Sequence, residues 1–263
     1  MATVREIAQT LERIAPLELS ESWDNVGLLL GDPSSSVQRL MTCLTLTPES
    51  VQEAIVRRAE MVISHHPLPF KPLSRITTES ASGKLVWNLA RAGISVFSAH
   101  TAWDSAAAGI NAQIAQRLSL QSAEPLIPCT KLFSNELGAG RYGTLTSPTD
   151  LVSFARMAKS TIPHSRLRVV DAGQSISKVA IACGSGASLL PAALAAGCDV
   201  LLTGEATFHH CLEAKATGVS LVLIGHFASE KFAMDQLAQF LGTEFPSLNV
   251  WSSLDESDPV SPV

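Results

Sequence analysis

LVLIGHFASE, residues 221–230, decides the fold. A continuous apolar run and Gly225 end in His226, and Glu230 follows four positions later. An apolar run bounded by glycine is the pattern of a buried parallel strand, which places His226 at its carboxyl end. A helix starting there puts His226 and Glu230 on one face, because positions i and i+4 are helical neighbours. An imidazole and a carboxylate then stand together at the strand end where open α/β sheets bind ligands.

The pattern recurs upstream. ISVFSAHTAWD, from Ile94 to Asp104, is again a strand-like run ending in a histidine, with Asp104 four positions after His100. Each copy follows a helical segment ending in glycine, Lys84 to Gly93 and Cys211 to Gly218, and each of those follows a further apolar run with polar residues at its end: MVISHH, Met61 to His66, and VLLTGE, Val200 to Glu205. The chain therefore reads as an α/β protein of two related lobes with mainly parallel sheets. Thr47-Pro48-Glu49 has the form of a helix start, and the glycines of Glu136 to Leu145 predict a bulged strand. Pro125 and Pro128 mark Gln121 to Phe133 as the boundary. This gives a first lobe over 1–126, a second over 127–251, and a disordered tail over 252–263, rich in Asp, Ser and Pro.

With 263 residues, 46% of them hydrophobic and 16% charged, the chain has ample core for sheets covered on both faces. It contains no apolar run of membrane-spanning length, and its first residues lack the apolar core of a signal peptide, so a cytoplasmic protein is expected. A net charge of -5 without a basic cluster excludes an electrostatic footprint for nucleic acid or an anionic membrane. Five scattered cysteines without a CxxC pair point to buried thiols rather than a zinc ribbon or a disulfide framework.

His65 and His66, followed by Pro67, close the MVIS strand. On a regular strand they would face opposite ways, but in a proline-fixed turn both can swing toward one point. Joined to the two His-x-x-x-carboxylate elements, they point to a divalent metal: imidazole and carboxylate without thiolate suit Zn, Mn, Fe, Ni or Co. Gly184-Ser185-Gly186 reads first as a tight turn and second as an anion site at a helix start. His209 and His210 either reach the site or face solvent, and His164 is read as a surface residue. Ser64, Ser98 and Ser229 lie near histidines, but no GxSxG elbow accompanies them.

ESWDNVGLLLGD, ISHHPLPF, SAHTAWDSAAAGIN, GAGRYG, CGSG, LLTGE and IGHFASE follow one another in the order found in the NIF-three-like family, whose bacterial members are commonly labelled GTP cyclohydrolase 1 type 2 homologues. The resemblance runs from about Ile7 to about Leu241. It implies two metal ions per chain in a cleft between two α/β lobes, and a homohexamer built as a trimer of dimers. Carried over by motif, His66 and Asp104 would hold one ion, His65 and His226 the other, and Glu230 would bridge them. His100 matches a histidine lining the site and is expected either to support the ligands from behind or to carry protons. Thr45 stands where many members have Asp, and Ala102 where many have Asn.

The resulting expectation is a metal-dependent hydrolase acting on a nucleotide ring, as the GTP-cyclohydrolase label implies, or on a phosphoester. The alternative from another class is a non-catalytic metal carrier or interaction factor. No sequence motif selects guanine.

Overall fold

The computed structural model describes residues 2–132 and 134–261. Phe133, at the end of the expected boundary, and residues 262–263 of the expected tail lie outside the described residues. The chain forms two compact units: residues up to Trp103 with those from Ala233 onward, and Asp104–Phe232.

The first unit contains a five-stranded sheet in the order Asn249–Ser252, Arg39–Cys43, Met61–Ser64, Ser95–Ser98, Gly27–Leu30. The first four strands are parallel and the last is an antiparallel edge. All residues of Met61–Ser64 and Ser95–Ser98 are buried, as unbroken apolar runs require when both sheet faces are covered. The crossover helix Pro48–Val56 starts as its sequence predicts, with Thr47 accepting from the Ser50 amide and proline in the first turn. Met41, Val62, Leu89 and Val96 lie in the core, each contributing about 1.5–3 kcal/mol through burial. Register matters most for function. Cys43 pairs beside Ser64 and Ser64 beside Ser98, so the chain leaves two neighbouring strands at His65 and at Ala99-His100 along one sheet edge.

The second unit has a six-stranded sheet in the order Arg168–Val170, Ser220–Leu223, Val200–Thr203, Ile176–Ala182, Arg141–Thr149, Gln121–Glu124. Its apolar runs form the parallel centre, and the outer pairings are antiparallel, so this sheet is mixed where a mainly parallel one was expected. The outer strand Arg141–Thr149 alternates at its start and is largely exposed at its end, a pattern that an antiparallel strand with one wet face accommodates. Ala182, Thr203 and Leu223 are in register, so Cys183-Gly184, Gly204-Glu205 and Ile224-Gly225-His226 also leave along one edge.

The expected division of 1–126 from 127–251 is corrected. Gln121–Glu124 pairs with Arg141–Thr149 inside the second unit, and Pro128 belongs to a two-residue strand paired with Gly138–Ala139. The prolines therefore mark a connection within a unit, not a boundary. Residues from Ala233 return to the first unit, where Asn249–Ser252 extends its sheet.

The tail from Ser252 is likewise not the disordered segment its composition predicts. Glu53 accepts from Ser253 Oγ at 2.6 Å, the Leu254 amide at 2.9 Å and the Asp255 amide at 3.2 Å. Glu256 in turn accepts from the amides of Leu44 at 3.0 Å and Thr45 at 2.6 Å. Carboxylate-to-amide hydrogen bonds anchor a stretch too polar to be held by core packing. Among the described residues, no helix is long and apolar enough to cross a membrane.

Candidate metal centre

In the first unit, His65, His66 and His100 each offer a ligand nitrogen, and these atoms lie within 4.8 Å of one another. The ring centroids are 5.1 Å apart for His65 and His66, 5.2 Å for His65 and His100, and 5.5 Å for His66 and His100. Two rings are braced at Nδ1. Thr45 Oγ1 lies 2.7 Å from His66 Nδ1, and Asp24 Oδ1 lies 2.7 Å from His100 Nδ1.

Asp24 is fully buried on its side chain and also accepts from the Thr101 hydroxyl and amide. Burial alone would raise its pKa, but the hydrogen bonds from His100 and Thr101 outweigh burial and hold it below the usual carboxylate value. His100 begins the helix His100–Ser105 with φ +31°, a conformation a β-carbon disfavours and one that the Asp24 and Thr101 contacts hold in place.

In the second unit, helix His226–Glu244 begins with the sequence-predicted pair. His226 Nε2 lies 3.1 Å from Glu230 Oε2 at i+4, while His226 Nδ1 lies 2.9 Å from Glu205 Oε1. Glu205 is fixed in turn by the Ser185 hydroxyl at 2.5 Å, which, ahead of His226, holds its pKa down. Desolvation would lower the His226 pKa, but Glu230 and Glu205 overcome it and raise the imidazole to about 9. Two carboxylates thus make this position favour a cation.

Asp104, in the helix His100–Ser105, accepts from Cys183 Sγ at 3.2 Å. Desolvation, reinforced by Asp104 and Glu230, pushes the Cys183 thiol well above its usual value, so it is a neutral thiol and not a thiolate. The carboxylate 2.7 Å from His100 Nδ1 is Asp24, a residue that the His-x-x-x-carboxylate spacing did not signal.

The glycines of the CGSG turn make room for this chemistry. A β-carbon on Gly184, whose φ is +58°, would lie 2.3 Å from Glu230 Oε1 and 3.3 Å from His226 Nε2. The Gly184 amide donates to Ser229 Oγ at 2.9 Å and the Cys183 amide to Asn111 Oδ1 at 2.8 Å. The turn is therefore a close approach to the Glu230 carboxylate, with the Cys183 and Gly184 amides engaged internally. Ser98 and Ser229 direct their hydroxyls to the carbonyls of His65 and His226, at 2.6 and 2.7 Å, which makes them supports and not nucleophiles. His209 and His164 are exposed, and His210 is half-buried with Nδ1 3.2 Å from Thr207 Oγ1.

A divalent cation fits these donors: a cluster of imidazoles in the first unit, an imidazole with a carboxylate in the second, and a glycine that keeps the carboxylate oxygen uncrowded. Among the described residues no disulfide joins the cysteines, and Cys43, Cys183 and Cys198 are buried. Sequence reasoning missed Asp24 and Glu205 as braces. Glu205 was signalled by VLLTGE ending level with LVLIGH, whereas Asp24 lies in a segment read only as a turn.

The family model described as Duf34/NIF3 (NGG1p interacting factor 3) matches residues 2–259. The chain belongs to the Duf34/NIF3 family. A relative named GTP cyclohydrolase 1 type 2 homolog, from Clostridium perfringens, is 34% identical over 228 residues, covering 86% of each chain. NIF3-like protein 1 of Drosophila melanogaster is 32% identical over 270 residues, covering 97% of this chain and 87% of its own. A Bacillus cereus protein related to NIF3 has the same fold, with a TM-score of 0.88 at 24% identity over 100% of this chain and 99% of that one. The NIF3 fold is thereby shown for the whole chain.

Proposed function

We propose that this NIF3-family chain holds two divalent metal ions and uses them for hydrolysis, of the GTP-cyclohydrolase type or on another nucleotide or phosphoester. The observation that supports this most is the bracing of two ligand imidazoles at Nδ1, by Thr45 on His66 and by Glu205 on His226. Metal-ligating histidines are oriented in this way by a partner on the second nitrogen, which also raises their basicity. The name of the Clostridium perfringens relative points to the same chemistry.

In this proposal His66 and Asp104 serve one ion, His65 and His226 the other, and Glu230 both. When bound, the ions polarise the bond under attack and acidify water. His100 is the proton carrier: Asp24 holds the ring at Nδ1, fixes its tautomer and directs proton exchange to Nε2. A homohexamer, as the family resemblance implies, is part of the same proposal and is read from sedimentation of the purified protein.

Elemental analysis of protein purified without chelator, on wild type, His66→Ala and Glu230→Gln, tests the reading together with turnover of GTP and a phosphoester panel. About two metals per wild-type chain, fewer in each variant, and a turnover lost with them is the expected result. Absence of metal from the wild type overturns the proposal. Two metals without turnover would replace hydrolysis with metal carriage or a role as an interaction factor.

A further inference from the structure

Trp23 and Phe70 are large aromatic residues left 58% and 47% exposed. Their ring centroids lie 5.9 Å apart, and those of Trp23 and Phe70 lie 6.0 and 6.1 Å from His100, each approaching it edge-on. The rings come from two separate loops that are tied together, because Asn25 Nδ2 donates to the Pro69 carbonyl at 2.7 Å. Next to Trp23, Asp24 is fixed by His100 and Thr101. The pair is therefore positioned without being buried. A core role would have turned these rings inward, whereas a rigid aromatic surface beside a polar site is how proteins hold flat ligands.

The exposed segment after Phe70 carries Lys71 and Arg75, two cations on a chain of net charge -5. Aromatic faces accept any nucleobase, and neighbouring cations favour a phosphate.

We infer that Trp23 and Phe70 form a stacking surface for the planar heteroaromatic ring of a nucleotide-like anion, with Lys71 and Arg75 supplying the cations for its phosphate. The inference rests on the hydrolase reading, for which it supplies the substrate side: the ring is held beside His100, the proposed proton carrier.

Calorimetric titration of GMP and, as a base-free control, ribose 5-phosphate into wild type, Trp23→Ala, Trp23→Phe and Phe70→Ala tests it, with metal content and sedimentation measured on the same samples. GMP is expected to bind the wild type and Trp23→Phe alike and to bind each alanine variant on the order of tenfold more weakly. Ribose 5-phosphate affinity and metal content should not change. Equal GMP affinity in wild type and Trp23→Ala overturns the inference, as does a wild type that binds no GMP. So does a change in self-association without a change in GMP affinity, which would make the rings a contact with a second copy. Failure of the metal reading is seen separately, in a wild type that carries no metal whatever its GMP affinity.

Discussion

Thr45 Oγ1 lies 2.7 Å from His66 Nδ1, and the Thr45 amide donates to Glu256 at 2.6 Å. The hydroxyl thus holds the imidazole, and the tail carboxylate holds the residue that carries the hydroxyl. Thr45→Val keeps the shape and removes the hydrogen bond, so metal affinity should fall by about 10- to 100-fold, as loss of an orienting partner does elsewhere. Thr45→Asp restores an acceptor and should recover most of it. Competition with a chromogenic chelator measures both, and a valine variant with wild-type affinity would show that the hydroxyl does not position the ring.

Gly184→Ala should disturb the carboxylate without breaking the fold. The added carbon would stand 2.3 Å from Glu230 Oε1, so Glu230 must move, and the φ of +58° adds about 1–2 kcal/mol of backbone strain. We expect metal content well below that of the wild type with a cooperative unfolding transition retained. Full metal content in this variant would mean that Glu230 can shift without loss of function as a ligand.

Glu53 is 4% exposed and accepts from Trp251 Nε1 at 3.0 Å and Arg57 Nη1 at 3.0 Å as well as from the tail. Burial favours its protonated form, but hydrogen bonds from Ser253, Asp255, Trp251 and Arg57 outweigh burial and lower its pKa from 4.5. The folded state therefore binds its proton less readily than the unfolded chain. The stabilisation is complete above about pH 4.5 and is lost as pH falls through the lowered folded value. Glu53→Gln should cost about 2–3 kcal/mol at pH 7 and flatten the acid side of the stability profile, measured by urea unfolding from pH 3 to 7.

Arg141 is 3% exposed and donates to the carbonyls of Gly138, Gly140, Ala106 and Glu136, at 2.8, 2.7, 2.7 and 2.9 Å. Desolvation lowers its pKa to about 10, against a raising influence from Glu136. Lysine cannot span four carbonyls with one ammonium group, so Arg141→Lys should destabilise the chain by about 2 kcal/mol. Thermal unfolding with no loss of stability would show that the planar fork is not what the GAGRYG turn requires.

The apolar runs made the strand ends legible, because a buried parallel strand leaves its period in the sequence and its last residue marks the sheet edge. His226 and Glu230 were legible for the same reason, being one helical turn apart. Asp24 was not, since its bond to His100 spans 76 positions and no local period encodes such a contact. The prolines at 125 and 128 misled because they mark a break in local backbone pairing and carry no information on which sheet the next strand joins. The tail misled because composition measures core-forming capacity, whereas the tail is held by carboxylates meeting amides.

The strand Asn249–Ser252 completes a sheet begun at Gly27–Leu30, and Glu256 caps the loop at Leu44 and Thr45. During synthesis, when domains fold as they emerge, this arrangement delays the first unit. His65, His66 and His100 are translated well before Glu256, so the loop that orients His66 gains its carboxylate cap only once residue 256 has emerged. Asp104–Phe232 can close first, and the histidine-rich unit is finished last, so the order of maturation runs opposite to the order of translation.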